Sequence, residues 1–453
     1  MGTSPIDSRI VGNLYGTAEM RTVFSDVAWV QRMLDVEAAL ARAQARLGLV
    51  PHEVADAITD AAQIANIDLD GLAASTNRVG YPVVSLVGQL GAAAGEEAAR
   101  YVHLGATTQD ILDSALVLQM RDGLELIEHD LIATARALVA RAREHRETVM
   151  AGRTHLQHAV PVTFGYKCAL WAAPLLDHVT EIRAAYRALP VQFGGAAGTL
   201  ASLGNRGRAV CIELGAELNL RVPDAPWHSS RSTIAHVAAL LGIICGSLAK
   251  FATDIVLLMQ TEVAEVFEPY ERGRGSSSTM PQKRNPIASE YILACARGVH
   301  ARVAVALAAL AGDHERSTGP WQSEPLAVPE IFVLSAGAVQ HARTIAEGLT
   351  IDAERMRENL ARGGGLILAE AVAAALTAPL GRDAAHHAVE RACHVALEAK
   401  VSFADALFND DLVRRHVGRD ELERLFDPRS YLGDSGGVVD RVSAAAEAIL
   451  PPP

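Results

Sequence analysis

Three short stretches hold most of the side chains that could move a proton or grip an anion. The first, Gly273 to Pro286, sets Ser276, Ser277, Ser278, Thr279, Lys283 and Arg284 ahead of an apolar run that reads as a helix from about Ile287 to Leu310. Asn285 followed by Pro286 has the pattern of an N-cap and a first helical residue. The positive end of that helix would then point back at the serines, beside two cations. Gly273 and Gly275 leave the segment conformational freedom. Such a loop suits a polyanionic substrate and could stabilise an alkoxide. A polar surface loop between helices would share this composition.

The second stretch, His103-Leu104-Gly105-Ala106-Thr107-Thr108-Gln109-Asp110, opens a long helical pattern. Thr107 and Thr108 offer hydroxyl and backbone donors at a helix N-terminus, where a carboxylate can bind. Ordinary capping by a threonine or an aspartate accounts for the same pattern. The third stretch, Gly152 to Thr163, packs Thr154, His155, Gln157, His158 and Thr163 before a helix. His155 and His158 have no obvious third ligand, so no metal is expected there. The Gly-rich run Gln192 to Thr199 lacks the G-K-[ST] ending of a phosphate loop and reads as a tight connection.

The run Ser277-Ser278-Thr279-Met280-Pro281-Gln282-Lys283-Arg284-Asn285-Pro286 resembles the signature loop of the fumarase/aspartase superfamily, and the two other stretches match that superfamily as well. Ser276 stands where the motif usually has glycine, and Thr108 where many members have serine. The resemblance implies elimination from a substituted succinate. A base takes a proton beside a carboxylate, the carbanion is held as an aci-carboxylate, and the β-substituent leaves. On this resemblance Ser277 is the base, and Lys283 and Asn285 hold the enediolate, the electrostatic contribution that usually dominates. Thr107, Thr108, Thr154 and Gln157 grip carboxylates. The signature loop closes over the substrate and excludes water. The three stretches converge from three subunits, and no metal or other cofactor is needed.

End to end, the chain is most similar to the 3-carboxy-cis,cis-muconate cycloisomerase subgroup, through His103 to Asp110, Leu258 to Glu262, Asp313 to Ser317, Gly381-Arg382 and Tyr431 to Gly433. Two positions point elsewhere. His155 and Glu290, the latter five residues after Asn285, match a histidine–glutamate pair of the fumarate-forming lyases. Typical bacterial cycloisomerases of this kind lack that pair. The expected reaction is therefore β-elimination from a small succinate with a nitrogen substituent, such as nitrosuccinate or an amine adduct, releasing fumarate. Cycloisomerisation of carboxymuconate to a muconolactone is the alternative. In the elimination, His155 protonates or stabilises the leaving group and Glu290 tunes the imidazole. Arg78, in the segment Ser75 to Pro82, reads as a bidentate clamp for a second carboxylate or a nitro group, or as a solvated surface charge. Arg316 joins the substrate-binding set. Adenylosuccinate lyase fits less well, because Pro325 lies where its relatives use a phosphate-binding arginine.

These residues need a scaffold. The 453 residues are 50% apolar but only 5% aromatic, so the core must be built of alanine, leucine and valine, which suits close helix packing. Helical patterns run over about Gln109–Val149, Val162–Leu189, Ser232–Phe267, Ile287–Leu310 and Pro329–Leu349. The fold expected is all-α, in three helical domains (1–104, 105–352 and 353–453), with a central bundle of five long helices. By resemblance it is a homotetramer sharing a multi-helix core. The net charge of −12 with no basic stripe excludes nucleic acid as the natural partner. His236, Lys250 and Asp254 interrupt the most apolar helix and argue for a bundle core over a membrane span. Five scattered cysteines without a C-x-x-C pair, and an N-terminus without a signal pattern, point to a reducing cytoplasm. The expected partner is a small dicarboxylate.

Overall fold

The computed structural model describes residues 4–452 apart from 270–274, 276–278 and 281. The fold is all-α, as the patterning requires, with a few short strands. Seven helices matter for the site: α1 (Asp26–Arg46), α2 (Leu69–Val79), α3 (Thr108–Glu144), α4 (Phe164–Ala188), α5 (Ser232–Leu258), α6 (Ile287–Ala308) and α7 (Val328–Gly348). The 37 residues of α3 span about 56 Å at 1.5 Å each. Ser25 caps α1 by accepting the Ala28 N–H, and the helix buries Val30, Met33, Leu34 and Leu40 along one face. Each such aliphatic side chain contributes roughly 1.5–3 kcal/mol on burial. Alanine supplies much of the rest of that face, through Ala38, Ala39, Ala41 and Ala43.

Three boundaries differ from the sequence reading, and one is that α5, expected to run to Phe267, ends at Leu258 ahead of a short strand at Val266–Phe267. Ser75 to Val79, expected as loop, continues α2, which stops at Gly80 with φ 92°. A left-handed glycine followed by Pro82 ends a helix one turn later than the polar composition suggested. Helix α3 stops at Glu144, short of Val149, because Val149–Thr154 (β1) and Gln157–Thr163 (β2) pair as an antiparallel hairpin. Val160 and Val162 fall on one face of β2, but Pro161 between them disguises the strand.

The chain divides into two compact units, each drawing on separate segments. The first unit comprises 1–130, 178–249 and 291–340. Arg231 is its buried electrostatic anchor, 1% exposed, with paired bonds to Asp113 (2.6 and 2.9 Å) and Glu324 (2.8 and 2.6 Å) and its guanidinium 4.7 Å from the Trp227 ring. Burial pushes the Glu324 carboxyl up, and Arg231 offsets that only in part. The second unit comprises 131–177, 250–290 and 341–453. Its C-terminal part is centred on Val372, Leu376, Ala388, Phe403 and Leu407, and a smaller cluster of Leu360, Ile367 and Leu368 packs on Ala151 of the hairpin.

By length and composition, α5 and α6 could each cross a membrane, and only 28% of the most apolar window of α6 is buried within the chain.

Candidate active site

In the first unit, Thr107 and Thr108 stand half-buried where α3 begins. The Thr107 N–H donates to the Asp110 carboxylate at 3.0 Å, so the aspartate three positions on caps this end. Among the described residues, neither threonine hydroxyl has a hydrogen-bond partner. The loop leading in is tied to α1: His103 Nδ1 lies 2.6 Å from Glu37 Oε1, and Gln44 Nε2 donates to the Leu104 carbonyl at 2.7 Å. Arg78 sits exposed in the last turn of α2 with no partner among the described residues. A cation there also complements the helix C-terminus. Arg316 is engaged by the protein. Its guanidinium donates to Gln109 Oε1 at 3.3 Å and to the carbonyls of Gly195 and Ala196 at 3.3 and 2.9 Å.

In the second unit, the hairpin carries its chemistry at the tip. Thr154 pairs across from Gln157, leaving His155 and Leu156 as a two-residue turn. Both turn residues have positive φ, 50° and 63°, the backbone signature of a type I′ turn that usually selects Asn-Gly. A left-handed conformation costs an L-residue roughly 1–2 kcal/mol, and such strain collects at functional sites. Thr154, His155 and Gln157 are exposed, and none of their side chains has a hydrogen-bond partner among the described residues. The base of the hairpin is fixed instead by Arg153, which donates to Glu265 at 2.9 and 2.6 Å. That carboxylate is fully buried and also accepts from Asn359 Nδ2 at 2.8 Å.

Ser277 lies outside the described residues. The signature loop is described again around Lys283 to Pro286. Lys283 is exposed, and neither it nor the half-buried Asn285 has a side-chain partner among the described residues. The start of α6 is capped differently from the sequence reading. Glu268, 5% exposed, accepts the N–H groups of Ala288 and Ser289 at 3.0 and 2.8 Å and the Ser289 hydroxyl at 2.7 Å. A carboxylate already occupies those two first-turn donors and complements the positive helix end. Arg284 donates to the Glu268 carbonyl at 3.0 Å and lies 4.9 Å from the Phe267 ring centroid.

Each motif thus has its own buried carboxylate, Asp110, Glu265 or Glu268, that makes structural bonds, while Thr107, Thr108, Thr154, Gln157, Lys283 and Asn285 have no side-chain partner among the described residues. Residues 14–301 match the lyase family, and 365–442 match the adenylosuccinate lyase C-terminus. The chain belongs to the fumarase/aspartase superfamily.

Within that superfamily, the chain is 47% identical over 436 residues to the 3-carboxy-cis,cis-muconate cycloisomerase of Pseudomonas aeruginosa, covering 95% of each. It superposes on the 3-carboxy-cis,cis-muconate lactonizing enzyme of Pseudomonas putida with a TM-score of 0.93 at 42% identity, covering 98% of this chain and 100% of that one. A nitrosuccinate lyase from Streptomyces davaonensis is 42% identical over 461 residues, 98% of this chain and 96% of the relative. Four relatives named as cycloisomerases lie between 42% and 47%. These findings overturn carbon–nitrogen elimination as the main reading. Within the chain, His155 and Glu290 are both exposed and make no side-chain hydrogen bond or ion pair among the described residues. The chain is an enzyme of the lyase superfamily, and cycloisomerases are among the relatives and solved structures it is similar to.

Proposed function

We propose that this enzyme is a cycloisomerase that closes 3-carboxy-cis,cis-muconate to a carboxymuconolactone. The observation that carries it is similarity running the full length of the chain to an enzyme of that name, 47% identical over 95% of both chains. In the lactone-forming direction a carboxylate oxygen of the substrate adds to the β-carbon of a double bond. The C–O bond forms while the π electrons move onto the neighbouring carboxylate as an enediolate, and the α-carbon then takes a proton. Substrate and product have the same atoms. Lys283 and Asn285, whose side chains have no partner among the described residues, hold the enediolate. Thr107, Thr108, Thr154 and Gln157 hold carboxylates, and Arg78 neutralises a further one. Proton transfer falls to Ser277, on the resemblance of its motif.

This chemistry also explains why a histidine–glutamate pair need not act as general acid. Read in reverse, the departing group is a carboxylate, whose conjugate acid has a pKa near ~4, so it leaves without protonation.

In the same reading the site is completed by other copies of the chain in a homotetramer. The thinly covered α6, with Leu307 exposed on it and Leu310 exposed just beyond its end, supports this, since exposed apolar surface calls for cover. The i,i+4 ion pair of Lys250 and Asp254 on α5 supports a bundle helix over a membrane span. The net charge of −12 gives nucleic acid no footing. All five cysteines are free, and burial pushes the Cys245 and Cys295 thiols up to about 12, which fits a reducing cytoplasm.

The deciding experiment follows the ultraviolet absorbance of the muconate diene on mixing and weighs the product. Loss of absorbance with unchanged mass is expected; no loss of absorbance, or a product lighter than substrate, rejects the reading.

A further inference from the structure

The Asp110 carboxylate, fully buried, accepts four hydrogen bonds from three separate parts of the first unit. Oδ1 takes the Gly194 N–H at 2.9 Å and His228 Nε2 at 2.7 Å, and Oδ2 takes the N–H groups of Gly195 at 2.9 Å and Thr107 at 3.0 Å. An ionised carboxylate only accepts, so His228, 3% exposed, carries its proton on Nε2. The glycines are required. A Cβ on Gly194 would stand 2.7 Å from His228 Cε1, and Gly195 has φ 68°. This backbone turns two successive N–H groups onto the one carboxylate. Arg316 grips the same segment from its carbonyl side, at Gly195 and Ala196.

This arrangement changes what the threonines are for. At most helix starts, a threonine N-cap spends its hydroxyl on the backbone of the first turn. Here Asp110 does the capping from position N3, and neither hydroxyl has a partner among the described residues. We propose that Asp110, oriented by His228, is a positioning residue for substrate: it locks the first turn of α3 to the Gly194–Gly195 segment so that the Thr107 and Thr108 hydroxyls are held ready for a carboxylate. This rests on the cycloisomerase reading only in taking a carboxylate of that substrate as the ligand.

Asp110→Asn places an amide NH₂ among N–H donors, so the four bonds cannot all survive. Hydrogen exchange at the Thr107, Gly194 and Gly195 amides should rise by about tenfold or more, with the middle of α3 unchanged. KM for carboxymuconate should rise about tenfold, yet change less than about twofold when Asp110→Asn is added to a Thr107→Val, Thr108→Val background, because the aspartate acts through those hydroxyls. His228→Gln, which keeps a side-chain N–H, should retain most of the wild-type KM, and His228→Leu should not; this pair decides the matter if Asp110→Asn does not fold. An unchanged exchange rate, or an equal loss with and without the threonines, overturns the proposal. If the unaltered enzyme leaves carboxymuconate untouched, the cycloisomerase reading fails, and the exchange rates alone decide whether Asp110 positions the turn.

Discussion

His103 Nδ1 stands 2.6 Å from a Glu37 carboxylate that is fully shielded from solvent. Burial by itself would lower the histidine's pKa, but the hydrogen bond and charge of Glu37, with the charge of Asp110, outweigh it and raise it above the ordinary 6.5. A histidine whose pKa is raised on folding stabilises fully below its unfolded value and loses that contribution as pH rises through the folded one. Replacing His103 with Gln should therefore lower the unfolding temperature more at pH 6 than at pH 9 (both about), the gap closing upward from about 6.5. A gap that is constant with pH, or widens toward alkali, would show that His103 is not charged in the folded enzyme. The same pair anchors the loop that leads to Thr107, so KM for carboxymuconate should follow the same pH trend.

Much of this organisation was legible in the residues, and the reasons for the remainder are physical. The five long helices follow from apolar periodicity, which is strong over 20 residues or more. The hairpin was hidden because Pro161 interrupts its alternation and because a His-Leu pair occupies a turn that glycine or asparagine usually takes. The motif residues were found by type and order, which the sequence carries directly. Their buried supports were harder to see. Glu265 and Glu268 look like surface acids in a polar stretch, and only packing shows that one is clamped by Arg153 and the other caps α6. His155 and Glu290 mislead for a related reason. Two residue types in the right order suggested a dyad, while similarity over the full chain pointed to a reaction that needs no acid for its leaving group.

The Arg153–Glu265 pair sets up a stability prediction. Arg153→Met leaves Glu265 buried with Asn359 as its remaining side-chain donor. Breaking a buried pair from one side costs about 3–5 kcal/mol, because the other charge is stranded. Urea unfolding should show that loss. Adding Glu265→Leu should recover a large part of it, since removing both charges also removes the stranded one. If the double replacement is no more stable than the single one, the pair is not the anchor of the hairpin base.

Lys283 and His155 should separate sharply in turnover. Lys283 is exposed and has no partner among the described residues; in the proposed reaction its charge serves the enediolate, and Lys283→Ala should lower kcat by on the order of 10²–10³. His155→Ala should cost less than about tenfold, because a departing carboxylate needs no proton donor. Steady-state rates on carboxymuconate measure both. A loss in His155→Ala as deep as that in Lys283→Ala would return the imidazole to the chemistry and require a different role for the hairpin tip.

Leu156 offers a test of whether the hairpin turn stores strain. It is 71% exposed with φ 63°, so its side chain gains little from burial while its backbone is held in a conformation that disfavours a Cβ. Leu156→Gly removes a penalty of roughly 1–2 kcal/mol and gives back about 0.4–1 kcal/mol through the freer unfolded chain. The net expectation is a small stabilisation, up to about 1 kcal/mol, seen as a higher denaturant midpoint. Activity should move the other way. A looser tip holds Thr154 and Gln157 less firmly, so KM for carboxymuconate should rise while stability improves. A variant that is less stable than the parent would show that the tip is relaxed as it stands, and that the left-handed pair at His155 and Leu156 is no reservoir of strain.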